Sequence, residues 1–435
     1  MHSLIRYSLV ATAVLGMAGG VASRPSARQA AAAGAANAKA FYFITNNEEN
    51  TVAAVELGAD GLVTGKATVL ATGGAGANGI DGSTNKSAVP DALFSQSALT
   101  IAGMNIFAVN AGSNSISMLA INPADPLKLR MVGDPVVIPG EFPNTVAASE
   151  KLGLVCVGLT GKKAGVSCAS FSSEAGVGEM DELRGFELNQ STPPVGPTNT
   201  VSHVFFSSDE TQLLATVKGD PAKNNTGFIA AYAVEQKTGG RNFKRTNNNE
   251  TSAGGEKGAA AAAAAVSVSR DNVRSSPEGT AVLFGSVAIP GASAVLVTDA
   301  SFGVAILNID GTTGKAETVA KVALADQKAT CWSAISPATG TAFVTDVGIN
   351  RLVEVGRNGG GELAVLNEVD MSVTGDPGVI DLRAGGELVY ALSPGNGTTQ
   401  AAVSVVNVVT KKLLQSAKLS GLGAGANSMG MALLI

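Results

Sequence analysis

Apolar and polar residues alternate in short runs through most of this chain, and the runs come in pairs. In each pair a β-rich segment ends in a small polar turn and a second alternating segment follows. Clear copies are Phe43–Val55 (FITNNEENTVAAV), Ala108–Leu119 (AVNAGSNSISML), Val297–Leu307 (VTDASFGVAIL) and Val344–Val355 (VTDVGINRLVEV). Weaker copies lie at Leu154–Phe171, Leu214–Val234 and Val389–Val406. A period of two marks strands, and the Gly, Asn, Asp and Ser clusters between them mark turns. Neighbouring copies are mostly about 45 to 65 residues apart, the spacing of propeller blades built from four antiparallel strands. The pattern predicts an all-β, seven-bladed β-propeller.

The same pattern gives each blade a direction. First strands are expected near 97–102, 144–148, 201–207, 280–288, 331–336 and 378–383, one fewer than seven blades need. Ala40–Thr45 reads as a second strand, so its missing neighbour is assigned to the far end, Ser428–Leu434 (SMGMALL). That pairing closes the ring and removes exposed sheet edges. Turns from first to second strand are tight (149–151, 290–292, 384–386), whereas Gly73–Phe94, Asn189–Asn199 and Gln236–Glu278 are long blade-to-blade connections. Binding collects on long loops held by a rigid scaffold, so a ligand is expected on the long-loop face around the central channel. Residues 236–278 include the low-complexity tract NNNETSAGGEKGAAAAAAAV and are expected as a loop insertion. The outer strand of the fourth blade is either Asn242–Thr246 or nearer Val266–Ser269.

Composition narrows the setting. Of 435 residues, 45% are hydrophobic and 15% charged, with 53 glycines, and the net charge is −5. An acidic balance argues against nucleic acid as a partner. Arg6, the apolar run Leu9–Gly19 and Val21-Ala22-Ser23 have the form of a secretory leader. Residues 1–23 are therefore expected to be a signal peptide, 24–38 a disordered or pro-segment, and 39–435 the propeller. No later run is apolar enough to span a bilayer. Sequons at Asn85, Asn189, Asn224, Asn249 and Asn396 all fall in expected loops and suit an exported glycoprotein. Cys156 and Cys168 lie six residues either side of Lys162 in a hairpin, which predicts a cross-strand disulfide; Cys331 is expected free and buried.

Candidate chemistry is sparse. With His2 in the leader, the mature chain carries one histidine, His203, at the start of a first strand. Lys218 and Asp220 end the adjoining second strand, and Lys162 and Lys163 occupy a neighbouring turn; Asp299, Asp346, Asn46 and Asn110 hold equivalent turns elsewhere. His203 is the candidate catalytic residue, and Lys218, Asp220, Asp299, Asp346, Asn46 and Asn110 are the candidate ligand-binding residues. Such a rim could hold a carboxylated molecule and move a proton. Asn and Asp after a strand also serve their own turns. No metal-ligand cluster and no cofactor fingerprint is present in the sequence, so neither metal nor cofactor is expected. A monomer is expected.

Taken together, these blocks resemble the lactonase-type seven-bladed propellers, in particular secreted fungal proteins described as 3-carboxymuconate cyclase-like, some of them cell-wall glycoproteins. The likeness covers about residues 40–435 and is carried by AVNAGSNSISML, VTDVGINRLVEV, Asp91–Gly103 (DALFSQSALTIAG), Trp332–Asp346 (WSAISPATGTAFVTD) and His203–Asp220 (HVFFSSDETQLLATVKGD). Catalytic members of such a family are expected to use a channel histidine with arginine and glutamate. Aligning Ser207-Ser208-Asp209 to the family's Ser-Pro-Asp turn puts Ser202 in the histidine's place and Glu210 in the tight turn, with no evident arginine at the mouth. The resemblance thus implies a secreted or wall-associated binding protein with weak or lost catalysis. The alternative is a carboxymuconate cyclase (an intramolecular lyase) or lactonase acting on a small carboxylated substrate.

Overall fold

The structure is a computed structural model describing residues 37–237 and 265–435. Among the described residues, seven antiparallel sheets of four or five strands follow one another along the chain. Their innermost strands are Met429–Leu434, Leu99–Ala102, Pro143–Ser149, Val201–Phe206, Leu283–Ala288, Thr330–Ile335 and Ile380–Gly385. Each packs against the next, and Ile380–Gly385 packs against Met429–Leu434. The chain is a β-propeller, with these inner strands surrounding a central channel.

Burial follows the sequence pattern. Second strands such as Leu154–Leu159, Gln212–Val217 and Leu388–Ser393 are buried along their whole length. A sheet between two neighbouring sheets is covered on both faces, so its middle strands read as near-continuous apolar runs. Outer strands alternate, as in Ala316–Ala323, because one face meets solvent. The C-terminal strand pairs antiparallel with Ala40–Ile44, from Ala40 opposite Leu434 to Ile44 opposite Met429. Cys156 and Cys168 sit directly opposite each other and are joined as a disulfide, while Cys331 is free and buried.

The fourth sheet corrects the insertion boundaries. Within residues 236–278, Ala265–Val268 pairs with Val234–Lys237, and Val273–Ser275 pairs with Ile229–Ala231. The outer strand therefore lies at the second of the two positions considered; Asn242–Thr246 lies outside the described residues. Ala233 pairs with Gln212, beside the tight turn at 207–211. Both described flanks of the excursion, Lys237 and Ala265, thus stand at the tight-turn end, because a third strand runs away from the long-loop face. Residues 1–23, expected as a leader, and most of 24–38 also lie outside the described residues.

Two features set up the channel. The long connections contribute a small cap sheet in which Val195–Gly196 pairs with Ile80–Asp81, which pairs with Lys86–Ser87. In addition, six inner strands shift register against their second strands: Met429–Leu434 between its partners Tyr42 and Ile44, and the others between Pro143/Thr145, Val201/His203, Leu283/Ser286, Thr330/Ser333 and Ile380/Leu382. A bulge re-aims the residues around it. Here the bulges decide which side chains reach the channel.

Candidate functional site

From the cap the chain crosses the channel before entering the inner strand Leu99–Ala102. Residues 92–99 of this crossing are buried. Gln96 spans the axis: its Nε2 donates to the carbonyls of Ser286 and Ser333, both at 3.2 Å, and its Oε1 accepts from Ser333 N at 2.9 Å. Gln96 N donates to Ser202 O, Trp332 Nε1 donates to Ser95 O at 3.0 Å, and Val146 N donates to Ser97 O. Inner strands have one unpaired edge, and this segment satisfies backbone groups that would otherwise be buried without partners. The crossing closes the channel on the long-loop side. A hollow of about 480 Å³ remains at the tight-turn end, with Ala148, Ser207, Ala288 and Ile335 among its walls.

The floor of this hollow includes Gln96, Ser97, His203, Ser286, Ser333 and Arg383. Ser97 Oγ lies 3.0 Å from His203 Nε2 and accepts from Arg383 Nη2 at 2.8 Å. Arg383 Nη1 donates to Asp381 Oδ1 at 2.5 Å and to Leu382 O at 2.7 Å. The other carboxylate oxygen, Asp381 Oδ2, accepts from Ser97 N at 3.3 Å. Arginine can only donate to this oxygen; the serine hydroxyl donates to His203 Nε2 in the tautomer that carries its proton on Nδ1 and accepts from Nε2 in the other. His203 stacks on Phe205 with ring centroids 4.9 Å apart.

Electrostatics fix the protonation state of this chain. Burial first, and then the neighbouring Arg383 charge, push the His203 imidazolium down to about 3; the nearby Ser286 carbonyl opposes them weakly. Its Nδ1 is buried without a hydrogen-bond partner at bonding geometry, so the opposing effect is slight. Burial also raises the Asp381 carboxyl, against Arg383 and the N–H groups of Ser97 and Leu382. His203 is therefore neutral at ordinary pH, between a hydroxyl and an ion pair.

The expected rim does not assemble as a mouth. Lys218 is fully buried behind the crossing segment, where Nζ donates to Phe94 O at 2.6 Å and lies 4.2 Å from the Phe284 ring centroid. Burial lowers its ammonium to about 8 and raises nearby Asp91 to about 6. Asp299 accepts from the N–H groups of Ala281, Val282 and Ser301, and Asp346 from those of Lys328 and Ala329 and from Arg351. Asn46 Nδ2 donates to Ala77 O, and Asn110 bridges Asn50, Thr72 and Ser117. These four buried residues hold turns, since a carboxylate or amide at a strand end is taken up by the backbone beside it. Asp220 pairs with Lys223 at 3.1 Å and lines a separate long-loop cleft of about 620 Å³ with Asp81, Asn189 and Asn199. Lys162 and Lys163 are exposed. Of the predicted site residues, His203 alone lines the hollow.

Ser97, Arg383 and Asp381, which the sequence pattern does not single out, join His203 at this floor, and the hollow opens at the tight-turn end rather than on the long-loop face. Glu210 also lines the hollow, accepting from Ser149 Oγ at 2.7 Å. His203, Arg383 and Glu210 are all among the residues lining this hollow. Among the described residues no cluster of His, Cys, Asp and Glu could hold a metal ion, and no helix is long and apolar enough to cross a membrane. Asn85, Asn189, Asn224 and Asn396 are exposed; Asn249 lies outside the described residues.

No family model matches the sequence, and the search of curated proteins returns no match. Solved structures share the fold. A periplasmic gluconolactonase of Pseudomonas aeruginosa superposes with a TM-score of 0.59 at 15% identity, over 91% of this chain and 99% of that one. A candidate 6-phosphogluconolactonase of Bacteroides fragilis gives 0.57 at 9% identity, over 92% and 98%. A hypothetical selenium-binding protein of Sulfolobus tokodaii gives 0.58 at 10% identity, over 94% and 96%. At such identities the likeness is one of fold.

Proposed function

We propose that this chain is a seven-bladed, lactonase-like propeller that works outside the cell and binds a small molecule with a carboxylate or lactone carbonyl in its channel hollow. The observation that carries the reading is the floor: Ser97, His203 and Arg383 converge within hydrogen-bonding distance at the closed end of the channel. A space of a few hundred Å³ with a few convergent polar groups suits a ligand of that size. Lactone chemistry on the same fold in the Pseudomonas protein, and the resemblance to the fungal 3-carboxymuconate cyclase-like proteins, favour this ligand class. Turnover is weak in this reading. A general base works best with a pKa near the working pH, and His203 lies far below it, at about 3. The leader-like Met1–Ser23, the Cys156–Cys168 disulfide and the exposed sequons support export, glycosylation and a place in or near the cell wall.

A second reading, an active lactone-opening or lactone-forming enzyme, is favoured by the serine–histidine contact. Calorimetry and turnover assays on a panel of muconates and lactones separate the two. Saturable binding with negligible turnover, weakened about tenfold or more in a folded Arg383→Gln variant, is expected when a charged donor is lost. Sustained turnover that His203→Ala lowers about 100-fold moves the case to the enzyme. Absence of binding across the panel contradicts both.

A further inference from the structure

We propose that Ser97 is a nucleophile whose Oγ forms a covalent ester with strained or activated acyl groups, such as β-lactones and aryl esters, that enter the channel hollow. The inference rests on the reading of that hollow as a ligand site and adds a reaction to it.

Four observations converge on this hydroxyl. First, Ser97 is not glycine, yet its φ is +63°, in the left-handed region. Such a conformation persists only where surrounding contacts hold it, and it clusters at functional sites. Second, what holds it is visible: its N–H bonds Asp381 and its carbonyl bonds Val146 N, which aim the side chain across the channel floor. Third, Oγ stands 3.0 Å from His203 Nε2, which takes its proton in the Nδ1-protonated tautomer. That is the spacing of a nucleophile and its base. Fourth, Arg383 Nη2 lies 2.8 Å from the same oxygen, and Asp381 fixes the guanidinium. A cation there favours the alkoxide character that Oγ takes on as its proton leaves.

The chemistry balances on these groups and water. Ser97 Oγ bonds to the acyl carbon, and its proton passes to His203 Nε2. The bond from that carbon to the ring or aryl oxygen breaks, and the departing oxygen takes the proton back from His203. Water later cleaves the ester and restores the serine. Neutral His203 is always available as acceptor but is weakly basic. Reaction is therefore confined to acyl groups that ring strain or a good leaving group has already activated, and unstrained six-membered sugar lactones are left intact.

The test is to incubate the folded protein with an alkyne-tagged β-lactone and with p-nitrophenyl acetate, follow intact mass, and map the adduct by peptide sequencing. One acyl group per chain on Ser97 is expected. Ser97→Gly suits the positive φ, so it keeps the fold and loses the label. His203→Gln slows labelling on the order of 100-fold. The wild-type rate stays flat from pH 8 to pH 5, unlike that of a dyad with an ordinary histidine. Binding of an unreactive lactam in the same hollow, followed by calorimetry, runs in parallel. Lactam binding without a Ser97 adduct, or equal labelling of Ser97→Gly, overturns this inference and leaves the ligand site standing. Absence of both binding and adduct removes the ligand site as well.

Discussion

At the scale of single residues, the floor of the channel is governed by desolvation more than by formal charge. His203 would titrate at 6.5 in the open chain and is driven to about 3 by burial and Arg383. The unfolded chain then binds a proton more readily than the folded one. The contribution of neutral His203 is fully present above pH 6.5 and is lost as pH falls toward 3. Asp91, raised to about 6, acts in the opposite sense, since its folded form protonates first. Comparing urea unfolding of wild type and His203→Gln between pH 7 and pH 4 isolates the histidine: the variant should lose less stability on acidification. By NMR the wild-type imidazole should show no titration between pH 5 and 8. A midpoint near 6.5 would mean that the ring is solvated. The histidine itself was legible in the sequence because the only other one is His2, at the extreme N-terminus. Its partners were not: Arg383 looks like an ordinary strand residue until neighbouring strands meet, and Ser97 lies in a segment without strand or helix period.

At the scale of elements, alternation located the strands to within a few residues but not the parity that aims side chains. In the strand Ile380–Gly385, Asp381 has a φ of +49° and the register slips between Ile380 and Leu382. That bulge turns Arg383 toward the channel, and period-two reading has no signal for it. The crossing segment escaped for a related reason. DALFSQS has neither strand nor helix period, and its hydrogen bonds go to other sheets. Lys218, read as a rim cation, is consumed in holding this segment to the channel wall. Gln96→Ala removes three hydrogen bonds across the axis and leaves buried backbone groups unpaired. It should cost about 2 to 4 kcal/mol in denaturant unfolding; a cost near zero would mean that the segment is not anchored. The hairpin disulfide was legible from the cysteine spacing together with the expected export signal, and replacing Cys156 and Cys168 by alanine together should cost about 2 to 4 kcal/mol.

At the scale of the whole molecule, the ring closes by pairing the two ends of the chain, and its channel is plugged at one end and open at the other. Ending the chain at Asn427 removes Met429–Leu434, uncovering one edge of Ala40–Ile44 and one side of Ile380–Gly385. Exposed edges template aggregation, so the truncated protein should lose the single cooperative thermal transition and associate. The closure could be anticipated by counting first strands; the direction of opening could not, because loop length says nothing about which loop enters the channel. The most direct measurement is a crystal structure of the protein soaked with a small aromatic lactone or a muconate. The ligand should lie at the tight-turn end of the channel, within hydrogen-bonding distance of Ser97, His203 or Arg383. A ligand seated instead in the long-loop cleft beside Asp220 and Asn199, with the channel hollow vacant, would contradict the account.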